Sequence, residues 1–257
     1  MPAGAVPPPD DGNDDIRQPD GANVVVTEAL RLTHTNLAIT LEERAMACMY
    51  GDSGLGKTAM VNAVLRHLAP EETIQLPCCP RRMREALFDA LGLQGPKPRN
   101  ARECDDLLKA TLAEKFRVLV CDEAHWLPAD CVEWWYHLRD DRTGAAIVFV
   151  GGADCPEVLT QTTREPMLSS HILLWQKFQR MSLAEVLDVI PAYHPIWAGA
   201  DAKLIKLADR QAGHGNWRVW ARLTKLAVRA LSQLQRPAVD DDVLAWVLDR
   251  LRPQWPL

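Results

Sequence analysis

Eight consecutive residues, Gly51-Asp52-Ser53-Gly54-Leu55-Gly56-Lys57-Thr58, place three glycines, a lysine and a hydroxyl in the pattern GxxxxGK[ST]. Glycines let backbone fold around phosphate oxygens, and the N–H groups that open a following helix point at them. In such a P-loop the Lys57 ammonium neutralises the β- and γ-phosphates of a nucleotide and the Thr58 hydroxyl ligates Mg²⁺. A Gly-rich turn that matched by chance would need no particular neighbours. Here an apolar strand, Arg44–Tyr50, precedes the loop and a helix, Thr58–Leu68, follows it.

A second group of reactive residues lies 65 positions beyond Lys57. In FRVLVCDEAHWL, Asp122 and Glu123 come directly after a continuous apolar strand. Asp122 fits the Walker B carboxylate that holds the Mg²⁺ shell, and Glu123 the base that polarises an attacking water. Two adjacent acids could also simply cap a following helix. His125 completes a DEAH string of the kind helicases carry, but the rest of a helicase motif series and its second sheet domain are absent. His125 therefore reads as structural or peripheral.

Positioning these groups requires strands that alternate with helices, and the chain supplies them. Thr73–Cys79, Phe116–Cys121, Ala146–Val150 and Ile172–Phe178 read as further strands. Helices through RRMREALFDALGL, ARECDDLLKATLAEK and Asp130–Arg139 separate the earlier ones. The spacing predicts an α/β fold with a parallel sheet covered on both faces. Beyond Ser182 only helices follow: SLAEVLDVI, DAKLIKLADRQ, NWRVWARLTKLAVRALSQL and DDDVLAWVLDRL. The expected organisation is a disordered acidic tail at 1–22, a nucleotide-binding core at 23–181 and a helical lid at 182–257. The N-terminus has no secretory pattern, and no apolar run reaches the roughly 18–20 residues of a membrane span. Seven cysteines without a CxxC pair or metal spacing read as reduced thiols of a cytoplasmic protein.

P-loop, intervening strand, Asp-Glu pair, further strand and helical lid, in that order, resemble the AAA+ ATPases over roughly residues 24–233. The resemblance implies ATP and Mg²⁺ as cofactors, and a polar sensor residue near the tip of the strand after Walker B. There AIVFVGGADC has Gly151 and Gly152, with Asp154 the nearest polar substitute. It also implies a second sensor in the lid. Gly215-Asn216-Trp217-Arg218 resembles its G-N-x-R opening, which gives Arg218 a γ-phosphate contact, although a solvated helical arginine would look the same. An arginine finger supplied in trans is implied as well. REPMLSSHILLW resembles the stretch that carries it, but His171 stands where that arginine belongs. A neutral imidazole stabilises transition-state charge less than a guanidinium does. Either Arg164 serves instead, or hydrolysis is slow and assembly depends on bound ATP.

The strings EAHWLPADCVEWWYHLRDD, IVFVGGADCPEVL, REPMLSSHI, VIPAYHPIW and GHGNWRVWARLTKLA resemble the TniB/MuB-like transposition ATPases. That resemblance implies a protein that assembles with itself as rings or helical filaments on double-stranded DNA and recruits or activates a transposase. A helicase loader of the DnaC/IstB kind and an ATP-binding signalling or defence switch with little turnover remain the alternatives.

Charge distribution bears on the DNA partner. The chain's formal charge is -5. Five aspartates against Arg17 put -4 of it in residues 1–22 and leave -1 for the remainder. Within that remainder, residues 203–236 hold eight basic side chains against Asp209 alone. Arg218, Arg222, Lys225 and Arg229 follow at spacings of 4, 3 and 4, which puts them on one helix face. A second cluster, Arg81, Arg82 and Arg84, follows the second strand. Each cluster is either a solvated surface or a set of phosphate contacts without sequence preference. The short stretch after the lid leaves sequence-specific recognition to a partner.

Overall fold

The structure, a computed structural model, describes residues 19–76, 82–98, 100–138, 143–161 and 171–251. They form two compact units. One comprises Ala29–Ser53 and Lys57–Phe178; the other takes in Gln179–Leu257, Gly54–Gly56 and the N-terminal stretch up to Glu28. The expected division at 181/182 thus falls at Phe178/Gln179, and the tip of the P-loop groups with the helical unit. Four residues of the expected tail at 1–22, residues 19–22, are described. Residues 1–18 lie outside the described residues, but Pro19 and Ala22 are buried. Asn23 N–H donates to Tyr193 O at 2.8 Å, and the His194 ring Nε2 pairs with Asp20 O at 2.8 Å. Acidic composition concealed this short docked segment.

The first unit is built on five parallel strands: β1 (Met46–Tyr50), β2 (Thr73–Leu76), β3 (Val118–Cys121), β4 (Ala146–Gly151) and β5 (Ile172–Lys177). Their order is β2-β3-β4-β1-β5. Every residue of β3 and β4 is buried, the signature of central strands covered on both faces. The flanking β2 and β5 are only partly buried. Helices α2 (Lys57–Leu68), α3 (Met83–Ala90), α4 (Ala101–Glu114), α5 (Ala129–Leu138) and α6 (Cys155–Gln161) belong to the same unit as α1 (Glu28–Glu42), of which all but the first residue does. Phe149 of β4 meets Trp135 of α5 edge-on at 5.5 Å, and Leu87, Leu108 and Leu112 join them in one core. The five described cysteines are buried free thiols. Cys48 and Cys155 lie 3.8 Å apart, and that contact together with burial pushes the Cys48 thiol well above its ordinary range.

Register decides where the site can form. Tyr50 of β1 pairs with Gly151 of β4, and Cys121 of β3 pairs with Phe149. The carboxyl ends of β1, β4 and β3 therefore align on one edge, with β4 in the middle and reaching two residues further than β3. In open parallel sheets this edge is where ligands bind.

Helix α1 is absent from the sequence reading, for a physical reason. Its buried face is Thr33, Leu37 and Thr40, so it carries little apolar signal. The threonine hydroxyls instead donate to the backbone carbonyls of Ala29 and Asn36, each at 2.7 Å. What fastens the helix to β5 is a buried amide. Gln176 Nε2 donates to Thr33 Oγ1 at 2.9 Å, and its Oε1 accepts from Asn36 Nδ2 at 3.0 Å.

The second unit contains α7 (Leu183–Tyr193), α8 (Pro195–Ala198), α9 (Ala202–Ala208), a π turn at Asp209–Gly213, α10 (Trp217–Leu234) and α11 (Asp241–Leu251). A capping box opens α7: Ser182 Oγ accepts from Glu185 N–H, and Glu185 Oε2 accepts from Ser182 N–H at 2.8 Å. Trp197 and Trp220 are fully buried and meet edge-on at 5.5 Å. The Trp197 indole donates to Thr224 Oγ1, so its polar edge is satisfied inside the core. No described helix is long and apolar enough to cross a membrane.

Replacing Gln176 with Leu keeps the volume but orphans the Asn36 amide and removes the donor to the Thr33 hydroxyl. Chemical denaturation is expected to register a loss of about 1–3 kcal/mol, the cost of buried polar groups left without partners.

Candidate functional site

The loop between β1 and α2 carries the first group. Gly51, Gly54 and Gly56 have φ of 147°, 81° and 83°, a region that residues with a Cβ rarely enter. Space is restricted as well: a Cβ on Gly51 would stand 2.6 Å from Phe178 O. Lys57 Nζ donates to Gly51 O at 2.9 Å and to Asp52 O at 2.8 Å, so the loop wraps around the ammonium. Asp52 and Ser53 are exposed, Leu55 is buried, and Thr58 lies half-buried in the first turn of α2. The first turn of any helix offers backbone donors that its own carbonyls cannot satisfy. A concave loop of backbone, an ammonium, a hydroxyl and the nearby carboxylates fit the phosphates of a nucleotide and its Mg²⁺.

The acidic pair lies where β3 ends. Asp122 is half-buried, and its Oδ1 accepts the Glu123 N–H at 2.8 Å. Glu123 adopts a left-handed conformation, φ 55° and ψ 34°, before a short 3₁₀ turn at Ala124–Trp126. That conformation costs a non-glycine residue on the order of 1–2 kcal/mol, and strain of this kind gathers at functional sites. Its side chain is 63% exposed. His125, expected to be structural or peripheral, touches both neighbours: Nδ1 accepts Gly152 N–H at 3.0 Å and lies 3.4 Å from Glu123 Oε2. Trp126 follows with 72% exposure, its ring 5.0 Å from that of His125.

In the helical unit, Asn216 caps α10 by accepting Val219 N–H at 3.2 Å. The Arg218 N–H donates to Gly54 O at 3.0 Å, within the same compact unit. A Cβ on Gly54 would stand 2.5 Å from Asn216 Oδ1 and 2.9 Å from Arg218 Cβ. The sequence reading missed what sets this geometry. Asp209 Oδ1 accepts from Gly215 N–H at 2.8 Å and from the Trp220 indole at 3.0 Å, which ties the turn before Asn216 to the body of α10. Gly215 has φ 66° and is itself clasped by Met181, whose N–H donates to Gly215 O. A buried aspartate seven residues upstream of Asn216, next to a π turn, was the only available signal.

The basic candidates divide. Arg218, Arg222 and Arg229 are exposed and Lys225 half-buried, along one flank of α10. Arg236 instead pairs with Asp240 and Asp242 at the start of α11. Arg82 is exposed, and Arg81 lies outside the described residues. Arg84 departs from the expectation of a solvent-facing phosphate contact. Asp105 of α4 grips its guanidinium with two bonds, 2.7 and 3.0 Å, and Trp134 lies beneath it. The Asp105 carboxylate holds the Arg84 pKa above its ordinary value. Of the trans-finger candidates, Arg164 lies outside the described residues and His171 is half-buried just before β5.

Residues 40–159 match the family profile of an AAA domain. No curated protein matches the chain. Among solved structures, the chain is similar to Aeropyrum pernix ORC1 in complex with DNA, with a TM-score of 0.67 and 19% identity. That likeness covers 88% of this chain and 66% of that one, just under two thirds of its length. A. pernix ORC2 in ADPNP–ADP complexes is similar with a TM-score of 0.62 and 15% identity, over 90% and 68% of the two chains. The Thermotoga maritima RuvB Holliday junction branch migration motor gives a TM-score of 0.59 and 16% identity, over 86% and 69%. The fold is that of the AAA+ P-loop NTPases.

Gly54→Ala forces a side chain into a positive-φ position already filled by Asn216 and Arg218. Thermal unfolding is expected to show a loss of about 1–3 kcal/mol, accompanied by weaker nucleotide binding in titration calorimetry.

Proposed function

We propose that this protein is a Mg²⁺-dependent ATPase that assembles on double-stranded DNA and recruits or activates a transposase. The observation that carries the ATPase reading is the alignment of the P-loop and the Asp122–Glu123 pair on one edge of a parallel sheet. Loop amides and Lys57 would hold the β- and γ-phosphates, while Thr58 and Asp122 would hold the metal. Mg²⁺ bound there supplies charge neutralisation to the phosphate oxygens. Glu123 takes the proton of the attacking water on a carboxylate oxygen, which its exposure leaves open to solvent. The resemblance of Gly215-Asn216-Trp217-Arg218 to the second-sensor opening gives Arg218 the γ-phosphate contact in this reading.

DNA binding rests on the flank of α10, with Arg222, Lys225 and Arg229 as phosphate contacts and Arg82 with Arg81 as a second set. The solved structures similar in fold include an ORC1 in complex with DNA and a Holliday junction branch migration motor. The transposition role rests on the TniB/MuB-like strings around Walker B and the second sensor. In an assembled ring or filament, Arg164 or His171 is the group offered to the neighbouring site. If the group is His171, turnover is slow.

Lys57→Ala is expected to abolish binding of a fluorescent ATP analogue. Glu123→Gln is expected to keep that binding and lower kcat on the order of 10²–10⁴-fold. Wild-type turnover in the Glu123→Gln protein would remove the base assignment.

Imaging with duplex DNA and a nonhydrolysable ATP analogue is expected to show rings or filaments. Each of Arg222→Ala, Lys225→Ala and Arg229→Ala is expected to reduce the slope of log K against log salt by about 0.9. Monomers that ignore duplex DNA at low salt would sink the DNA reading, and preference for single strands would favour a helicase loader.

A further inference from the structure

The imidazole of His125 occupies a place that side chains on β4 cannot take. A Cβ on Gly152 would stand 2.6 Å from Asp154 Oδ1 and 3.2 Å from the ring's Cγ and Cδ2, and one on Gly151 would stand 2.6 Å from Cys155 Sγ and 3.2 Å from the His125 backbone nitrogen. The Gly-Gly tip of β4 therefore leaves room for a ring that arrives from a different element, the turn after β3. That ring is mostly buried, with 16% of its side-chain surface exposed. Its Nδ1 accepts the Gly152 N–H at 3.0 Å, which leaves Nε2 to carry the ring proton. The 3.4 Å approach of Glu123 Oε2 to the same nitrogen is then a contact with no proton between the two atoms.

The Glu123 backbone is held, its N–H by Asp122 Oδ1 at 2.8 Å and its carbonyl by the Trp126 N–H at 2.9 Å, and Ala124 is buried in the core. The carboxylate has no such hydrogen-bond anchor of its own among the described residues. Glu123 stands in a left-handed backbone conformation, with an exposed side chain, between Asp122 and a single 3₁₀ turn. The only bond from that turn's side chains to the centre of the sheet is the one from Gly152 to His125, among the described residues. We propose that His125 is the positioning residue of Glu123: it fastens the turn to the carboxyl end of β4 and so aims the carboxylate at the water it deprotonates. This rests on the assignment of Glu123 as base.

A group that acts through orientation changes kcat and leaves nucleotide affinity alone, because Lys57, Thr58 and the loop amides are untouched. His125→Leu, which removes the acceptor but keeps an apolar side chain there, is expected to lower kcat by about 10–100-fold, with KM and analogue affinity within about twofold. His125→Asn places an amide oxygen near the former Nδ1, where it can accept the Gly152 N–H. It is expected to restore kcat to within about fivefold of wild type. Gly152→Ala, whose Cβ presses on the ring, is expected to lower kcat in the same sense. Added to Glu123→Gln, the His125→Leu change is expected to cost nothing further, since both act through one carboxylate.

Unchanged kcat in His125→Leu would overturn the proposal. So would a loss that Asn does not rescue, or one that persists in full on the Glu123→Gln background. A Glu123→Gln protein that turns over ATP at the wild-type rate would overturn the base assignment itself, a separate failure read from a separate variant.

Discussion

Pairing β4 between β1 and β3 is the constraint from which the site follows. The P-loop leaves β1 and the acidic pair leaves β3, and only a shared neighbour can bring those ends to one edge. Register completes the arrangement, because Tyr50 and Cys121 pair with β4 residues only two positions apart. Burial enforces it: β4 is buried along its whole length, so a shift along β1 or β3 would disturb two ladders and a core at once. The tight glycines at 151 and 152 add a local condition, since the strand tip must stay bare for the neighbouring turn to pack.

Much of this was legible in the sequence wherever the signal is local. The P-loop is eight contiguous residues with a strand before and a helix after, and the acidic pair follows an uninterrupted apolar run. Strand order was not legible, because it depends on partners from 28 to 127 residues away. Helix α1 was silent because its buried face is two threonines and a leucine. Arg84 read as part of a basic cluster because its partner, Asp105, comes 21 residues later on another helix. The glycines at the β4 tip read as a missing polar residue. In three dimensions Gly151 lies against Cys155 and the His125 backbone, and Gly152 against the His125 ring and Asp154.

The helical unit shows how a short motif depends on residues outside it. G-N-x-R was recognisable at 215–218, yet its geometry is imposed by Asp209, Met181 and Trp220. Those three fix the entry angle of α10 and hence the direction of its basic flank. The same entry brings the Arg218 backbone onto Gly54. Net charge says nothing of this flank, since an acidic tail offsets it in the total.

Trp126 gives the molecule an optical property. Of the described tryptophans it alone is exposed, while Trp134, Trp135, Trp197 and Trp220 are buried and Trp175, Trp217 and Trp246 are half-buried. An indole in water emits at longer wavelength than one in a core and is open to collisional quenchers. The protein thus carries an intrinsic fluorophore three residues from Glu123, with its ring against that of His125, and among the described tryptophans the reddest emission belongs to the one turn where the chemistry is proposed.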